Sequence, residues 1–268
     1  MAEAPPIVLT IAGFDPSSGA GVTADIKTIA ALGCYGVATI TALTVQSTAG
    51  VRRVQPADPQ LLKDSLDELM RDVKVSAVHI GMLGCGEIAE QVAGFLAHYR
   101  PPNVVLDPVL RSTSGASLLD QAGSKILIQN LLPMANVITP NVDEASAITD
   151  LGVRNPEQME QAARRLHEMG AKAVVVTGGH LDRAVDLLSI DREGVRNFEA
   201  ERVDSPNTHG TGCAFSTAIA CHLALGQSLP NAVQLAKAYV LQAIRDSYSI
   251  GTGPGPINHI TGNKNRGR

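Results

Sequence analysis

Short runs rich in β-branched residues alternate with amphipathic stretches over the first two thirds of the chain. These runs are apolar at successive positions, which is typical of strands in a parallel sheet that is covered on both faces. Repetition of strand, helix and strand predicts right-handed crossovers and a doubly wound sheet of the α/β class. The predicted strands are Ile7–Ala12, Val37–Leu43, Val75–Gly81, Val104–Asp107, Val137–Thr139 and Ala173–Thr177.

The stretches between these strands carry signals of helix starts and of buried helix faces. Asp58 is a predicted N-cap with Pro59 at the first helical position, and Asn155 and Pro156 repeat this arrangement, with Gln158 placed to complete a capping box. Three apolar stripes predict buried helix faces: Val22, Ile26 and Ile29; Leu62, Leu66, Leu69 and Val73; and Ile88, Val92, Phe95 and Tyr99.

The pattern changes after the sixth strand. Two apolar runs, Ala184–Ile190 and Val195–Ala200, flank four turn-forming residues and predict a hairpin at the edge of the sheet. Two helices are predicted after the hairpin, over Gly212–Leu225 and Leu229–Ser247.

A single domain is expected, because no internal repeat, low-complexity segment or linker divides the sequence. We assign residues 1–260 to this domain and residues 261–268 to a flexible tail, with fraying from Asn258 onward. Of the 268 residues, 44% are hydrophobic and 18% are charged, which is the balance of a globular protein with a sizeable core.

Composition also argues against several kinds of partner. Asp and Glu number 26 against 22 Lys and Arg, and aromatic residues make up 3% with no Trp, so nucleic acid is not expected as a partner. No run approaches the roughly 18 apolar residues of a membrane span, and the first apolar run lacks the basic residues of a signal peptide. The four cysteines form no CxxC pair, which favours free thiols. We therefore expect a cytoplasmic protein without a membrane partner.

Two glycine-rich segments carry candidate anion-binding chemistry. Residues 13–21 follow the first strand, and residues 207–213 lead into a strongly apolar helix. Glycines at a helix start let backbone N–H groups converge at the positive end of the helix dipole, where a transferred phosphoryl group would be stabilised. Cys213 would lie in the first turn, where a thiol has a lowered pKa and can act as a base or nucleophile. The alternative is a plain turn followed by a buried structural cysteine.

Carboxylates at the ends of strands are candidates for a metal site. Asp107 ends the fourth predicted strand and Glu144 follows the fifth. Ligands of open α/β sheets bind outside the carboxyl ends of the strands, and Mg²⁺ would be held there largely through water. The alternative for each residue is a turn or a helix cap. No cluster of His and Cys has metal-binding spacing, which disfavours zinc.

Further polar residues near the first strands are candidates for a heterocycle site. Asp25 lies in an otherwise apolar helix and Gln46 follows a strand, so they offer donors and acceptors to a nitrogen heterocycle; the alternative is a solvated surface. Met82 belongs to the core unless it lines a pocket. Gly178–His180 is either a close approach to a nucleotide or a plain turn. The Walker A, GxGxxG and GxSxG motifs are absent.

Eight segments together resemble the ribokinase-like superfamily, and within it the hydroxymethylpyrimidine/phosphomethylpyrimidine kinases of thiamine biosynthesis. The resemblance runs in order from about Ile7 to Ile260. The matching segments are Ile11–Gly21, Ala24–Thr28, Thr41–Thr48, Ile80–Leu83, Val105–Val109, Ile138–Asn141, Gly178–His180 and Asn207–Cys213.

This resemblance implies a three-layer αβα fold with a mostly parallel central sheet, and a kinase that depends on ATP and Mg²⁺. The kinase would phosphorylate the hydroxymethyl group of 4-amino-5-hydroxymethyl-2-methylpyrimidine and then convert the monophosphate to the diphosphate. A homodimer is also implied.

The resemblance implies roles for the residues at matching positions. Cys213 matches a cysteine that stands where sugar kinases of the superfamily place a catalytic Asp. The implied anion hole consists of Gly210, Thr211, Gly212 and Cys213. The implied pyrimidine site consists of Gly13, Asp25, Gln46, Met82 and Val109. The implied nucleotide and phosphate site consists of Asn141, Thr177, Gly179, His209 and Lys237. The implied metal site consists of Asp107 and Glu144.

Three positions depart from the family pattern. Thr177 and Pro206 stand where many relatives carry Lys, and Phe14 stands where a small polar residue is usual. The two missing positive charges lead to the hypothesis that the second phosphorylation, whose substrate is anionic, is weakened more than the first. Two alternative functions are a pyridoxal, pyridoxine or pyridoxamine kinase of the same superfamily and a non-catalytic ligand-binding relative.

Overall fold

A computed structural model describes residues 4–112, 114–179 and 184–261 of the chain. Within these residues, nine strands form one sheet. Their bounds are β1 Ile7–Phe14, β2 Tyr35–Ser47, β3 Gly50–Pro56, β4 Val75–Ile80, β5 Val104–Leu106, β6 Val137–Ile138, β7 Ala173–Gly178, β8 Ala184–Ile190 and β9 Gly194–Ala200. The order is β3-β2-β1-β4-β5-β6-β7-β8-β9, and the strands from β2 to β7 in this order are parallel.

Helices cover both faces of the sheet. Their bounds are α1 Gly21–Ala31, α2 Pro59–Asp72, α3 Gly86–Tyr99, α4 Gln121–Ile126, α5 Leu132–Met134, α6 Val142–Thr149, α7 Pro156–Glu168, α8 Thr211–Ala224 and α9 Leu229–Arg245, with a π-helical stretch at Leu127–Leu131 between α4 and α5. Alternate strand residues face opposite layers. Val8 and Ala77 pack with α1, α8 and α9, whereas Leu9 and Val78 pack with α2, α3, α6 and α7. The predicted three-layer αβα architecture is confirmed.

Both edges of the sheet are antiparallel hairpins. The hairpin predicted after β7 is confirmed as β8 and β9. The hairpin of β2 and β3 was not predicted from the sequence, which ended the second strand at Leu43. Arg52, Arg53 and Gln55 make β3 an exposed strand without a continuous apolar run, so the pattern of buried strands misses it. As a consequence, Gln46 lies within β2 rather than after it.

Two predicted helix starts are confirmed by their side-chain hydrogen bonds. Asp58 Oδ1 accepts from Leu61 N at 2.8 Å, and Asn155 Oδ1 accepts from Gln158 N at 2.9 Å. The capping box predicted at Gln158 is wrong, because Gln158 Oε1 accepts from Arg154 N and not from the N-cap residue.

The chain does not fray at Asn258 as predicted. His259 is buried, its carbonyl accepts from Tyr239 Oη at 2.7 Å, and its Nε2 lies 3.2 Å from the Gly19 carbonyl oxygen. The end of the described chain therefore packs beneath the first glycine-rich loop. Of the flexible tail predicted over residues 261–268, only Thr261 is described, and its hydroxyl donates to Asp246 Oδ2 at 2.7 Å. Residues 262–268 lie outside the described residues.

The four cysteines are free thiols, as predicted. None of the helices in the described ranges combines the length and the apolar character needed to cross a membrane.

Candidate active site

The candidate site lies where the loop between β1 and α1 meets the turn before α8. Gly210 is the N-cap of α8 and has a φ of 84°, in the left-handed region that favours glycine. A Cβ atom at this position would collide with the Gly19 carbonyl oxygen. The Gly21 N–H donates to the Cys213 sulfur. The two glycine-rich segments singled out in the sequence therefore converge on one point.

The first turn of α8 directs backbone donors toward this point. Gly212 and Cys213 are the second and third residues of the helix, and their N–H groups have no acceptor within an α-helix. The helix dipole adds positive potential at the same place. Thr211 differs, because its N–H and its hydroxyl both donate to the Thr208 carbonyl. Of the anion site predicted over Gly210–Cys213, Thr211 therefore has its donors occupied, and the N–H groups of Gly212 and Cys213 are the helical donors that remain for an anion.

The Cys213 thiol has a pKa well above its usual value, so the prediction of a lowered pKa is wrong. Burial is the main cause, and the carboxylates of Asp107, Asp25 and Glu144 act in the same direction against the Gly21 N–H. Reasoning from the helix terminus alone could not include carboxylates that come from three other segments. Cys213 keeps its proton as long as these carboxylates are not neutralised.

Asp25 is enclosed beneath α8 and is not open to a pocket. Its side chain is fully buried. Oδ2 accepts from Thr10 Oγ1 at 2.7 Å, Oδ1 accepts from Thr217 Oγ1 at 2.8 Å, and His79 Nδ1 lies 3.4 Å from Oδ2. The structure therefore corrects the prediction of a direct ring contact. The Asp25 carboxylate instead ties α1 to β1, β4 and α8.

His79 connects Asp25 to Asp107. Its Nδ1 faces Asp25 and the hydroxyl of Thr10, whose proton is already donated to Asp25. Its Nε2 lies 2.9 Å from Ser216 Oγ, and the partners of that hydroxyl's own proton are acceptors, among them Asp107 Oδ2 at 3.2 Å. A proton on each ring nitrogen satisfies Asp25 on one side and leaves the Ser216 hydroxyl free to donate to Asp107 on the other, so the contacts favour a buried imidazolium. Its pKa agrees: burial alone would lower it, but the charges of Asp25 and Asp107 raise it above the usual value.

Asp107 and Glu144 form the acidic end of this network. Burial raises the pKa of Asp107 to about 6 although His79 and Ser216 oppose the shift, and burial followed by the charge of Asp107 raises the pKa of Glu144 to about 8. Glu144 Oε2 accepts from Asn141 N at 2.9 Å, and Asn141 Oδ1 accepts from Glu144 N at 2.9 Å. This is a reciprocal capping box at the start of α6, so the helix-cap alternative left open by the sequence holds for Glu144.

The two carboxylates fit Mg²⁺ better than a metal that needs an all-protein cage. Across the parts of the chain that the structure describes, no group of three or more His, Cys, Asp or Glu side chains could hold a metal ion. Mg²⁺ keeps several waters and takes further ligands from substrate phosphates, so one or two carboxylates suffice. Buried carboxylates with raised pKa values also favour a cation that neutralises them. Asp107 accepts a hydrogen bond from Ser216 of α8, so it is the carboxylate linked directly to the anion-binding helix, whereas Glu144 caps α6.

A second acid–histidine pair lies at the rim of the site. Asp15 Oδ2 lies 2.9 Å from His209 Nε2 and accepts from Ala20 N at 3.0 Å, while Oδ1 accepts from the N–H and the hydroxyl of Ser17. Burial would raise the pKa of Asp15, but the hydrogen bonds from His209 and Ser17 outweigh burial and lower it. Gln46 Nε2 lies 3.4 Å from His209 Nε2. The structure thus brings His209, predicted for the nucleotide site, next to Gln46 of the predicted ring site.

Apolar side chains form a small cluster beside this rim. Met82 is buried with Ala42 and Leu118, and Val109 packs against them. A Cβ atom on Gly13 would lie 2.8 Å from Met82 Sδ, so a side chain at position 13 would displace Met82. Three of the five residues predicted for the ring site therefore lie together.

Two residues predicted for the nucleotide site are neighbours. Asn141 and Thr177 pair in an isolated parallel bridge, and Thr177 N donates to the Pro140 carbonyl at 2.9 Å. Gly179 is exposed directly after β7. His180, which completes the motif read from the sequence, lies outside the described residues.

Lys237 reaches the same end of β7 from α9. Its Nζ donates to Asp186 Oδ2 at 2.6 Å and to the Ala184 carbonyl at 3.0 Å, and Asp186 Oδ1 accepts from Gly178 N at 3.1 Å. Lys237 therefore pairs with an acid at the start of β8. The structure groups it with Gly179 and Thr177, on the far side of the sheet's carboxyl edge from His209 and Gln46.

Sequence reasoning missed four residues that hold the site together: Asp15, His79, Ser216 and Asp186. Three of them carried a readable signal. Asp15 precedes Ser17 with the spacing of an Asx turn, and His79 is a lone polar residue in an apolar strand. Ser216 follows Cys213 by three residues, so both lie on one helix face.

The sequence matches known proteins over most of its length. Residues 15–258 match the family model described as phosphomethylpyrimidine kinase. The hydroxymethylpyrimidine/phosphomethylpyrimidine kinase of Escherichia coli is 42% identical, over 94% of this chain and 96% of that protein. The thiamine biosynthesis bifunctional protein ThiED of Geobacter sulfurreducens is 43% identical over 94% of this chain, which spans about half (52%) of that longer relative.

The structure also resembles a solved kinase of a different vitamin. The pyridoxal kinase of Staphylococcus aureus, in complex with AMP-PCP and pyridoxal, superposes with a TM-score of 0.88 at 31% sequence identity. The match covers 97% of this chain and 96% of that one. A fold shared at this level is compatible with either heterocycle, so the choice between them depends on side chains of the site.

Proposed function

The chain belongs to the phosphomethylpyrimidine kinase family and has the ribokinase-like fold, and from this premise we propose its substrate and its site. It is a phosphotransferase. We propose that it transfers the γ-phosphoryl group of ATP to the hydroxymethyl group of 4-amino-5-hydroxymethyl-2-methylpyrimidine and then phosphorylates the monophosphate. The observation that carries this proposal is the convergence of the α8 N-terminus, the Asp107 carboxylate and the Gln46 amide around one site.

The N-terminus of α8 supports the transferred phosphoryl group. Gly212 and Cys213 present N–H groups in the first turn, and the helix dipole adds to their positive potential. Phosphoryl transfer needs positioning and charge stabilisation more than covalent chemistry. Donors held rigidly by a helix meet that need without reorganising during the reaction.

Asp107, together with Glu144, would hold Mg²⁺. When bound, the cation would neutralise charge on the phosphates that are exchanged. The pKa of about 6 for Asp107 means that its carboxylate is largely ionised at neutral pH. Ser216 holds Oδ2 of this carboxylate through a hydrogen bond.

Cys213 is the group placed to accept the proton of the substrate hydroxyl. A base must be a thiolate, and burial, Asp107 and Asp25 oppose that state. The Gly21 N–H and the helix terminus favour it. The base role of Cys213 therefore depends on neutralisation of Asp107 when the substrates bind.

The ring would lie between the apolar cluster and the Gln46 amide. Met82 and Val109 offer an apolar wall, and Gly13 leaves room beside Met82. An amide carries an acceptor and a donor side by side, which matches the amino group and the adjacent ring nitrogen of a 4-aminopyrimidine. Asn141, Thr177, Gly179 and Lys237 remain the residues proposed for ATP. We further propose a cytoplasmic homodimer, which a mass measurement in solution tests.

A pyridoxal kinase is the second candidate function, favoured by the likeness to the Staphylococcus aureus enzyme. Pyridoxal also carries a hydroxymethyl group on its ring. The Gln46 amide favours the aminopyrimidine, because the pyridine ring lacks the adjacent pair of an amino donor and a nitrogen acceptor. The two candidate substrates are therefore distinguished by the hydrogen-bonding groups on the ring edge that faces Gln46.

Coupled ADP release tests the proposed function. Purified protein with Mg²⁺ and ATP is given the pyrimidine alcohol or its monophosphate, and Cys213→Ala is compared with Cys85→Ala, a matched change at a cysteine outside the site. We expect turnover of both substrates, a loss of about 10²- to 10⁴-fold in Cys213→Ala as for a lost general base, and unchanged activity in Cys85→Ala. Absence of ADP release with both pyrimidines would contradict the proposal.

The same assay tests the effect of Thr177 and Pro206. Each stands where relatives often carry Lys, and an anionic substrate would lose more from a missing cation than a neutral one. We expect a lower kcat/KM for the monophosphate than for the alcohol. Equal values would remove the hypothesis that these two positions weaken the second phosphorylation.

A further inference from the structure

We propose that Asp15, His209 and Thr44 are positioning residues that fix the Gln46 amide in one orientation and thereby set the direction in which the ring lies. The proposal rests on the proposed function, since it concerns the same site. It adds His209 and Thr44, which lie next to the Gln46 amide, and Asp15, which acts through His209.

The proton on His209 is located by Asp15. The Asp15 carboxylate is ionised, because hydrogen bonds from His209 and Ser17 lower its pKa against the effect of burial. It can therefore only accept hydrogen bonds. Since His209 Nε2 lies 2.9 Å from Asp15 Oδ2, this nitrogen carries a proton. A protonated Nε2 has no lone pair in the ring plane and cannot accept from an amide N–H, so the Gln46 atom that faces it must be the oxygen, which shares the Nε2 proton with Asp15.

The proton of Thr44 is located by a carbonyl group. Thr44 Oγ1 lies 3.0 Å from the Phe14 carbonyl oxygen, which can only accept, so the single hydroxyl proton is used there. The Gln46 atom at 3.1 Å on the other side of Thr44 Oγ1 must therefore donate. Two independent contacts impose the same rule on one amide: oxygen toward His209 and nitrogen toward Thr44.

The arrangement with nitrogen toward His209 places two N–H donors 3.4 Å apart. The two ends of a Gln amide have nearly the same shape, and a half turn about its terminal bond exchanges them. After this half turn Oε1 shares the His209 Nε2 proton with Asp15, and Nε2 donates to Thr44 Oγ1. A buried or half-buried amide held at both ends in this way has one orientation rather than two.

A fixed amide gives the ring a fixed direction. The amino group on C4 of the pyrimidine pairs with Oε1, on the His209 side, and N3 pairs with Nε2, on the Thr44 side. The hydroxymethyl group is attached to C5, next to C4, so it also lies on the His209 side. Gly210–Cys213 follow His209 directly in the chain, so this direction brings the reacting hydroxyl toward the α8 turn. The opposite orientation of the amide would direct the hydroxyl away from it.

An analogue with the reversed edge tests this inference. The 4-oxo analogue of the substrate carries a carbonyl acceptor at C4 and a donor at N3, so it needs the opposite amide orientation. The ratio of kcat/KM for the amino compound to that for the oxo compound is measured in the wild type, Thr44→Val, Thr44→Ser and Thr39→Val. Thr39 also lies on β2, and its buried hydroxyl has no hydrogen-bond partner among the described residues, which makes it a matched control.

We expect Thr44→Val to lower the ratio about tenfold, the effect of one mismatched buried hydrogen bond. Thr44→Ser restores the ratio because it keeps the hydroxyl, and Thr39→Val leaves it unchanged. Binding of both alcohols to the folded variants, measured by calorimetry without ATP, gives a second readout that does not depend on turnover.

Two outcomes separate the inference from the proposed function. If the wild type turns over the amino compound and Thr44→Val lowers both substrates equally, the inference is overturned and the kinase function stands. If the wild type neither binds nor phosphorylates the amino compound, the proposed function is contradicted first. A ratio near one in the wild type also overturns the inference, because a fixed amide must discriminate between the two edges.

Discussion

The molecule uses two Asp–His pairs in different settings. His209 and Asp15 meet at the rim, with side chains 17% and 4% exposed, whereas His79 and Asp25 meet in the interior with no exposure of either. The rim pair joins two loops that are 194 residues apart in sequence and faces the Gln46 amide. The interior pair faces threonine and serine hydroxyls and stands behind the Asp107 carboxylate. An Asp–His pair thus contacts the neutral Gln46 amide at the rim, and in the interior the same kind of pair offsets the negative charge of the buried carboxylates.

The difference between the two pairs shows how neighbouring groups determine the number of protons on a histidine ring. At the rim, a single carboxylate fixes one proton on His209 Nε2, and the neighbouring amide adjusts to it. In the interior, Asp25 faces one nitrogen of His79 and Ser216, bonded to Asp107, faces the other, which favours two protons and a charge on the ring. The charge partly offsets the carboxylates of Asp25 and Asp107, which lie close to the Cys213 thiol. Breaking either pair should therefore have distinguishable consequences.

The largest effect is expected from breaking the interior pair with His79→Leu. Asp25 would then be buried without a positive partner, and the loss of one member of a buried pair costs about 3–5 kcal/mol. We expect the free energy of unfolding, measured by urea denaturation, to fall by this amount. The double variant Asp25→Asn with His79→Leu removes the stranded charge and should recover part of the loss. A fall of less than about 1 kcal/mol in the single variant would show that His79 is not charged.

A smaller effect is expected from Asp15→Asn at the rim. Asn keeps one acceptor oxygen, whereas the carboxylate accepts from Ser17, Ala20 and His209. Hydrogen bonds to a charged group contribute about 2 kcal/mol, so we expect a fall of that order in the free energy of unfolding. The exposed carboxylate of Asp64 provides the control Asp64→Asn, which should have little effect.

The pH dependence sharpens the prediction for Asp15. Its pKa is lowered in the folded protein, so its contribution to stability is present above the usual value of 3.8 and is lost as the pH falls through the lowered value. The difference between wild type and Asp15→Asn should therefore shrink in acid. A difference that stays constant down to pH 3 would contradict an ionised Asp15 at the rim.

The smallest effect is expected from Glu144→Gln. This variant should change how steeply the free energy of unfolding depends on pH. The pKa of Glu144 rises from 4.5 to about 8 on folding, so the folded chain holds a proton that the unfolded chain releases, and stability falls as the pH rises through this range. Gln has no proton to lose and can still cap α6. Between pH 6 and 8, we expect the free energy of unfolding of the variant to fall less than that of the wild type, by on the order of 1 kcal/mol. Thermal unfolding at each pH measures this difference. Glu87→Gln, an exposed change in the first turn of α3, should keep the wild-type slope.

Much of the architecture followed from local patterns in the sequence. The central strands are continuous apolar runs, and helices such as α2 and α7 start at Asp58 and Asn155 with capping side chains, so both are encoded within a few residues. The strand β3 was missed because the exposed Arg52, Arg53 and Gln55 leave it without a continuous apolar run. The helix α6 was missed because its eight residues are too few for a clear stripe.

The glycine-rich turns of the candidate site could be predicted from the sequence, whereas the protonation states of Cys213 and His79 could not. Gly210 and Gly19 were visible as a motif, and their close approach is what such motifs provide. The raised pKa of Cys213 and the charge on His79 depend on which strands are neighbours. Thr10 pairs with His79 only because β4 lies beside β1 in the sheet, and sequence separation conceals that contact. Side chains that act through long-range contacts need the fold before their chemistry can be assigned.

A competition between the pyrimidine alcohol and pyridoxal tests the central claim most directly. The purified wild type receives Mg²⁺, ATP and equal concentrations of the pyrimidine alcohol and pyridoxal, and the two phosphorylated products are separated and quantified over time. The account predicts that the pyrimidine product predominates, because the oriented Gln46 amide pairs with the edge of an aminopyrimidine. Predominance of pyridoxal phosphate would contradict it and would assign the same fold and the same α8 turn to the other ring.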